Sequence, residues 1–376
     1  MIYFDNAATS MQKPPEVLRA ITDALESFGG AGRGAHPASI MAGHAVYEAR
    51  LVIAELLGAP GPERVSFAAN ATMALNIAIA GLLPDGGQAV TTAASHNSIL
   101  RPLSRARDER KCTVDVVLHD ASGALDWDAY MHSVRGSVLV VATHASNLTG
   151  DVYDVARMTQ IAHEAGALFV LDAAQTAGAI PVNMSALGVD VLCFTGHKSL
   201  LGPQGTGGLC VAESTELPPL LEGGTGTHSY DDRHPLIMPE ALEAGTLNAH
   251  GLAGMTAGVR CVIERTPTVI AKHELSLVTY FEARARIEVP NIHLYGGGGM
   301  GRCGIAAFNL EGIDSAYVAD RLAQTWGICS RAGTHCAPLM HRTLGTEEIG
   351  AVRFSFGLYN TREEVDVAVE ALKSMQ

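Results

Sequence analysis

Phe194-Thr195-Gly196-His197-Lys198 closes the apolar run Val189 to Phe194 and leads into a second glycine-rich turn. A run of that length and composition reads as a buried strand that hands a lysine to the chain just past its carboxyl end. A loop lysine standing alone is ordinarily solvated charge. This one has company. Upstream, Ala167-Leu168-Phe169-Val170-Leu171 reads as a buried strand of a parallel sheet and delivers Asp172, with Gln175 one short turn later.

The same rhythm recurs. The strand Gln88 to Thr92 ends near His96, and the strand Val138 to Ala142 ends near His144, Ser146 and Asn147. Four successive strands thus bring polar residues to one sheet edge, where open α/β sheets bind ligands. Asn70-Ala71-Thr72 opens a helix carrying Leu75, Ile79 and Leu82. Its amino end offers unpaired N–H groups and a partial positive charge, a ready phosphate site. An acid at one strand end and an imine-forming lysine at a later one are what pyridoxal phosphate requires. The carboxylate keeps the pyridinium protonated and the lysine holds the aldehyde as a Schiff base.

Bulk properties agree with a soluble enzyme. A chain of 376 residues favours two domains, and 40 glycines suit the tight strand-to-helix turns of an α/β chain. The formal charge of −13 argues against nucleic acid or an anionic membrane as main partner. The start carries no secretory signal and no apolar run reaches spanning length, so a cytoplasmic location is expected. Seven scattered cysteines read as reduced thiols, and without a CxxC pair a structural zinc site has no support.

Around this core, Pro15 suits the first turn of a helix through Val17, Leu18, Ile21 and Leu25. Gly29 to Gly34 is a flexible connector or a loop close to a ligand or partner subunit, and a helix is expected from about Ile40 to Leu57, stopped by Gly58. Arg64 to Phe67 reads as a strand, and Gly223 to Pro239 as an extended loop or hairpin that Glu243-Ala244-Gly245-Thr246 closes. Further on, Ile305 to Asn309 reads as a strand, Asp314 caps a helix that Gly327 stops, and Arg353 to Phe356 is another strand. Thr361 with Glu364 forms a capping box for the final helix. A large domain of residues 15–250 is expected to hold the cofactor. A smaller α/β domain of residues 251–376, joined by 1–14, carries the loop Arg331-Ala332-Gly333-Thr334-His335-Cys336.

In order along the chain stand YFDNAAT, GRGAH, SHNSILRP, HASNLTG, VLDAAQ, FTGHK, EAGT and RAGTHCA. With them the whole chain resembles the class V, fold-type I pyridoxal-phosphate enzymes, specifically the cysteine desulfurases and selenocysteine lyases that include the Suf-type desulfurases. The resemblance implies a large domain built on a mainly parallel seven-stranded sheet and a smaller α/β carboxyl-terminal domain. It makes Lys198 the imine-forming residue and base. Asp172 pairs with the pyridine nitrogen, Gln175 bonds the phenolic oxygen and His96 stacks on the ring. Ala71, Thr72, Thr195 and His197 hold the phosphate, joined by Thr246 from the other subunit of a homodimer. Asn147, Arg331 and Arg353 serve the substrate, the guanidinium of Arg353 matching a carboxylate.

Cys336 then takes sulfur from L-cysteine as a persulfide, releasing L-alanine, for transfer to an acceptor. The polar loop keeps its thiol accessible, and Arg331 nearby favours the thiolate. Cys193, Cys210 and Cys261 sit in apolar runs and read as core thiols, and Cys329 as a buried strand thiol. Selenocysteine cleavage, another β-lyase reaction or transamination on the same fold are the alternatives. Thr334 and Asn97 stand where Suf-type enzymes commonly carry histidines, which leaves open the acceptor and the choice between sulfur and selenium.

Overall fold

The computed structural model describes residues 1–31, 34–227 and 229–375. Gly32 and Arg33 of the GRGAH motif, and His228 in the loop from Gly223 to Pro239, lie outside the described residues.

A seven-stranded sheet runs in the order Val65–Ala68, Gly207–Val211, Val191–Thr195, Leu168–Asp172, Leu139–Thr143, Gln88–Thr92, Thr113–Val117. Gly207–Val211 pairs antiparallel with both neighbours, and the pairings across the rest of the sheet are parallel. The continuous apolar runs are explained by burial on both faces. Along Leu139–Thr143, Val140 and Ala142 join one core while Leu139 and Val141 join the other, and Leu192 and Val191 divide in the same way. Helices Pro37–Leu57, Val155–Glu164 and Ala249–Arg265 cover the first face. Ala71–Leu82 and Asn97–Arg110 cover the second.

A second sheet, antiparallel throughout, has the order Ile292–Tyr295, Ile305–Leu310, Ala351–Ser355, Arg331–Gly333. Phe281, Phe308 and Phe354 centre its core, and Phe4 from the chain start packs among them. Ile2–Tyr3 adds a parallel pairing with Ile328–Cys329. The helix Ala249–Arg265 packs on Pro15–Ser27 and Pro37–Leu57 and places Leu252, Met255 and Val259 in the core of the large sheet. We therefore propose the domain division at Thr266, past that helix, instead of at residue 250.

Local signals act as their chemistry demands. Asp314 accepts from the N–H groups of Ala316 and Tyr317, and Gly327 closes that helix with φ +64. Thr361 and Glu364 form the reciprocal capping box. Burial sharpens one expectation and overturns another. Leu18 and Leu25 of the helix Pro15–Ser27 are exposed while Val17 is buried, because the packed face falls on Val17 and Ala24. Cys261 and Cys329 are half-buried, unlike the fully buried Cys193 and Cys210.

Candidate active site

The carboxyl edge of the large sheet faces the small domain across a cavity of about 320 Å3. Ala71, Thr72, His96, Asn147, Asp172, Gln175, Thr195, His197, Lys198, Arg331, Cys336 and Arg353 all line it. Residues separated by up to 282 positions of chain, from 71 to 353, are thereby gathered into a volume suited to a cofactor and a small substrate. Thr246 is not among them within one chain. It lines a separate cavity of about 890 Å3 together with Gly30, Gly34 and His36.

Lys198 sits in the turn after the strand Val191–Thr195. Burial pushes its ammonium down to about 8, Asp172 opposes the shift, and Arg353 and Arg331 deepen it. An amine of that basicity is a competent nucleophile near neutral pH. Asp172 ends the neighbouring strand, accepts from the Ala174 N–H at 3.0 Å, and is pushed upward by burial while that bond and Lys198 pull it down. A buried carboxyl in this state suits a partner that shares a proton with it.

His96 caps the helix Asn97–Arg110: its Nδ1 accepts from the Ser98 N–H at 3.0 Å. Nδ1 also lies 2.8 Å from Ser98 Oγ, which is 2.7 Å from Thr72 Oγ1. Burial first, then Lys198 and three arginines, lower His96 to about 4, so the ring is neutral at physiological pH. Asn70 caps the helix Ala71–Leu82 by accepting from Met73 N–H, which leaves the first N–H groups of that helix at the cavity wall. Gln175 Nε2 donates to Ala7 O at 3.1 Å.

Thr195 Oγ1 and His197 Nδ1 are buried without a hydrogen-bond partner, as are Asn147 Oδ1 and Arg353 Nε. Orphaned polar atoms of this kind are costly unless a ligand pairs with them. Beside an open helix amino end, the first two fit a phosphate. The donor set therefore suits pyridoxal phosphate. Among the described residues no group of three or more His, Cys, Asp or Glu could hold a metal ion.

On the facing side, the loop after Arg331–Gly333 holds His335 and Cys336 at φ +49 and +55. Left-handed geometry at two consecutive residues with a Cβ is strained and persists only where the surroundings impose it. Two bonds from the large domain do so. Asn147 Nδ2 donates to His335 O at 2.6 Å, and Asn97 N–H donates to Cys336 O at 2.9 Å. Asn97 thus acts through its backbone. His335 is buried, stacked on His341 with centroids 5.8 Å apart, and lowered by burial to about 3.

The aminotransferase class-V family model matches residues 2–367. The chain belongs to the aminotransferase class-V family. Relatives of this family member include a probable cysteine desulfurase of Methanothermobacter thermautotrophicus, 36% identical over 385 aligned positions that cover 100% of this chain and 94% of the relative. A probable cysteine desulfurase of Pyrococcus abyssi is 33% identical, covering 100% and 94%. The apo structure of a cysteine desulfurase from Thermococcus onnurineus NA1 superposes with a TM-score of 0.93 at 33% identity, covering 100% of this chain and 94% of the other.

As a class-V aminotransferase-fold protein, the chain has contributors that motif reading passed over. Ala7 and Ala8 line the cavity, and Asp5 accepts from the cavity residue Arg353, because the chain start crosses from the small sheet to the large one. Ser98 links Thr72 to His96, a placement that the SHNSILRP motif contains. His335 immediately precedes the loop cysteine, and its motif position was the available signal.

Proposed function

We propose that the chain is a pyridoxal-phosphate-dependent cysteine desulfurase that converts L-cysteine to L-alanine and leaves the sulfur as a persulfide on Cys336. The observation that carries this reading is the convergence of Lys198, Asp172 and Cys336 on one cavity. The names of the relatives and of the solved structures support it.

The bound cofactor supplies an electron sink for charge developing on the substrate's α-carbon. Asp172 would hold a proton at the pyridine nitrogen, and Thr72, Thr195, His197 and the N–H groups at Ala71 and Thr72 would hold the phosphate. His96, neutral, would face the cofactor from the cavity wall. The Arg353 guanidinium, with Asn147, orients the substrate carboxylate. Lys198, as free amine, removes the α proton. The Cys336 thiolate then attacks the substrate sulfur: a sulfur–sulfur bond forms and the carbon–sulfur bond breaks. Its electron pair stays with the β-carbon, which takes a proton to become the alanine methyl. Cysteine plus the Cys336 thiol thus balance alanine plus persulfide.

A homodimer in which Thr246 completes the partner's phosphate site is part of the reading, since Thr246 lines an open cavity away from its own Lys198. A sulfur acceptor completes the cycle. The seven free cysteines and the absence, among described residues, of a helix able to cross a membrane suit a reducing cytosol.

The test is a substrate screen on cofactor-loaded protein that reads alanine together with sulfide or selenide. Cysteine turnover that survives Cys336→Ser unaltered would sink the persulfide route. Efficient release from selenocysteine alone would make selenium the true cargo.

A further inference from the structure

The peptide entering Lys198 is gripped from outside the cavity. Lys13 Nζ donates to His197 O at 3.0 Å and to Ser10 Oγ at 2.6 Å. Ser10 Oγ has one hydrogen to give and two carbonyls in reach, Lys198 O at 2.9 Å and His197 O at 3.1 Å. Thr9 Oγ1 and the Ser10 N–H also approach His197 O, each at 3.1 Å. A carbonyl has two lone pairs, so one oxygen is offered more donors than it needs.

The charge is as unusual as the crowding. Burial lowers Lys13 to about 8, and among the described residues no carboxylate offsets it. In a chain with a formal charge of −13, a half-buried ammonium lacking an acidic partner among the described residues is out of balance. It stands beside His197, which burial, Lys198 and Lys13 together lower to about 4. The Nδ1 of His197 and the Oγ1 of Thr195 are two of the orphaned buried atoms at the cavity. An uncompensated cation and two unpaired polar atoms around one turn call for an anion.

We propose that Lys13 is a positioning residue that fixes the turn before Lys198 and supplies, without touching the cofactor, the positive charge balancing its phosphate. The inference rests on the cofactor reading above. Lys13 does not line the cavity, so its influence passes through the His197 carbonyl and through the field across the turn.

Three full-length variants separate the contributions. Lys13→Arg keeps the charge, Lys13→Gln keeps a neutral donor, and Lys13→Met keeps neither. Each apo-protein is titrated with pyridoxal phosphate and, separately, with pyridoxal, which lacks the phosphate. Wild type and Lys13→Arg are expected to prefer the phosphorylated form to a similar degree. Lys13→Gln and Lys13→Met should bind pyridoxal phosphate about tenfold more weakly, with a smaller change for pyridoxal. Equal losses for both ligands would reduce Lys13 to a structural prop and overturn the proposal. Unchanged binding of both would overturn it as well. If Lys13→Met fails to fold, the Arg and Gln pair still makes the comparison. Failure of the wild type to bind pyridoxal phosphate would instead bring down the cofactor reading, and this inference with it.

Discussion

Arg353 Nη2 donates to Asp5 Oδ1 at 2.8 Å, joining the chain start to a strand 348 residues away. Arg353 is 1% exposed, gives Nη1 to Asn147 O at 2.8 Å, and has an unpartnered Nε. Burial lowers it and Asp5 holds it up. Asp5 is thus the internal carboxylate of a guanidinium assigned to a substrate carboxylate. Removing one member of such a pair leaves a buried charge alone, at a cost of about 3 kcal/mol. Asp5→Asn is expected to melt at lower temperature than wild type, and L-alanine should restore more of the melting temperature in the variant than it adds to wild type. A variant melting like wild type would deny the pairing this weight.

Lys198 sets a pH dependence. With its ammonium lowered to about 8, the free amine falls as pH drops below that value and saturates above it. At pH 7 roughly one molecule in ten carries the amine, against fewer than one in a thousand for an ordinary lysine. The rate at which apo-protein captures pyridoxal phosphate should therefore rise about tenfold per unit of pH on the acid side and level off past about 8. Stopped-flow absorbance measures it, and a rate still climbing steeply at pH 10 would contradict the lowered basicity.

Thr195 offers a prediction whose two halves have opposite signs. Its Oγ1 is buried and unpaired in the protein alone. Thr195→Val removes that unsatisfied group at nearly constant shape, so the apo-protein should be at least as stable as wild type. The cofactor should bind about tenfold more weakly, the loss of one charge-assisted hydrogen bond. Melting curves with and without pyridoxal phosphate read both, and weaker apo stability with undiminished affinity would reverse the assignment.

Glu274, on the helix Pro267–Glu288, is 5% exposed, and burial raises its carboxyl to about 8. The folded state holds a proton there that the unfolded chain releases from about pH 4.5 upward. This contribution to stability is complete below that pH and is lost as pH rises through 8. Glu274→Gln should match wild type near pH 5 and exceed it by roughly 4 kcal/mol at pH 9. Denaturant titrations at the two pH values check the slope; parallel curves would mean that Glu274 is not buried as a neutral acid.

Much of the site was readable because chemistry and periodicity coincide at strand ends. Ala167 to Leu171 and Val191 to Phe194 are apolar at every position, and the polar residue that follows each run, Asp172 or Thr195, marks the sheet edge. Asp5, Ser98 and Lys13 were harder to see. Their partners are Arg353, Thr72 and His197, contacts that depend on how the chain start bridges two sheets and how two helix amino ends meet. No local pattern encodes those meetings. The exposed Leu18 and Leu25 mark a similar limit, since helical period fixes which residues share a face but not which face is covered.

The central claim is that sulfur leaves the substrate for Cys336. Cofactor-loaded protein should be incubated with L-cysteine, without reductant, and the peptide containing Cys336 weighed while alanine is counted in the same sample. The account predicts one added sulfur atom on Cys336, with one alanine released per sulfur gained in the first turnover and neither product from Cys336→Ser. Alanine accumulating while Cys336 stays unmodified in the wild type would contradict it.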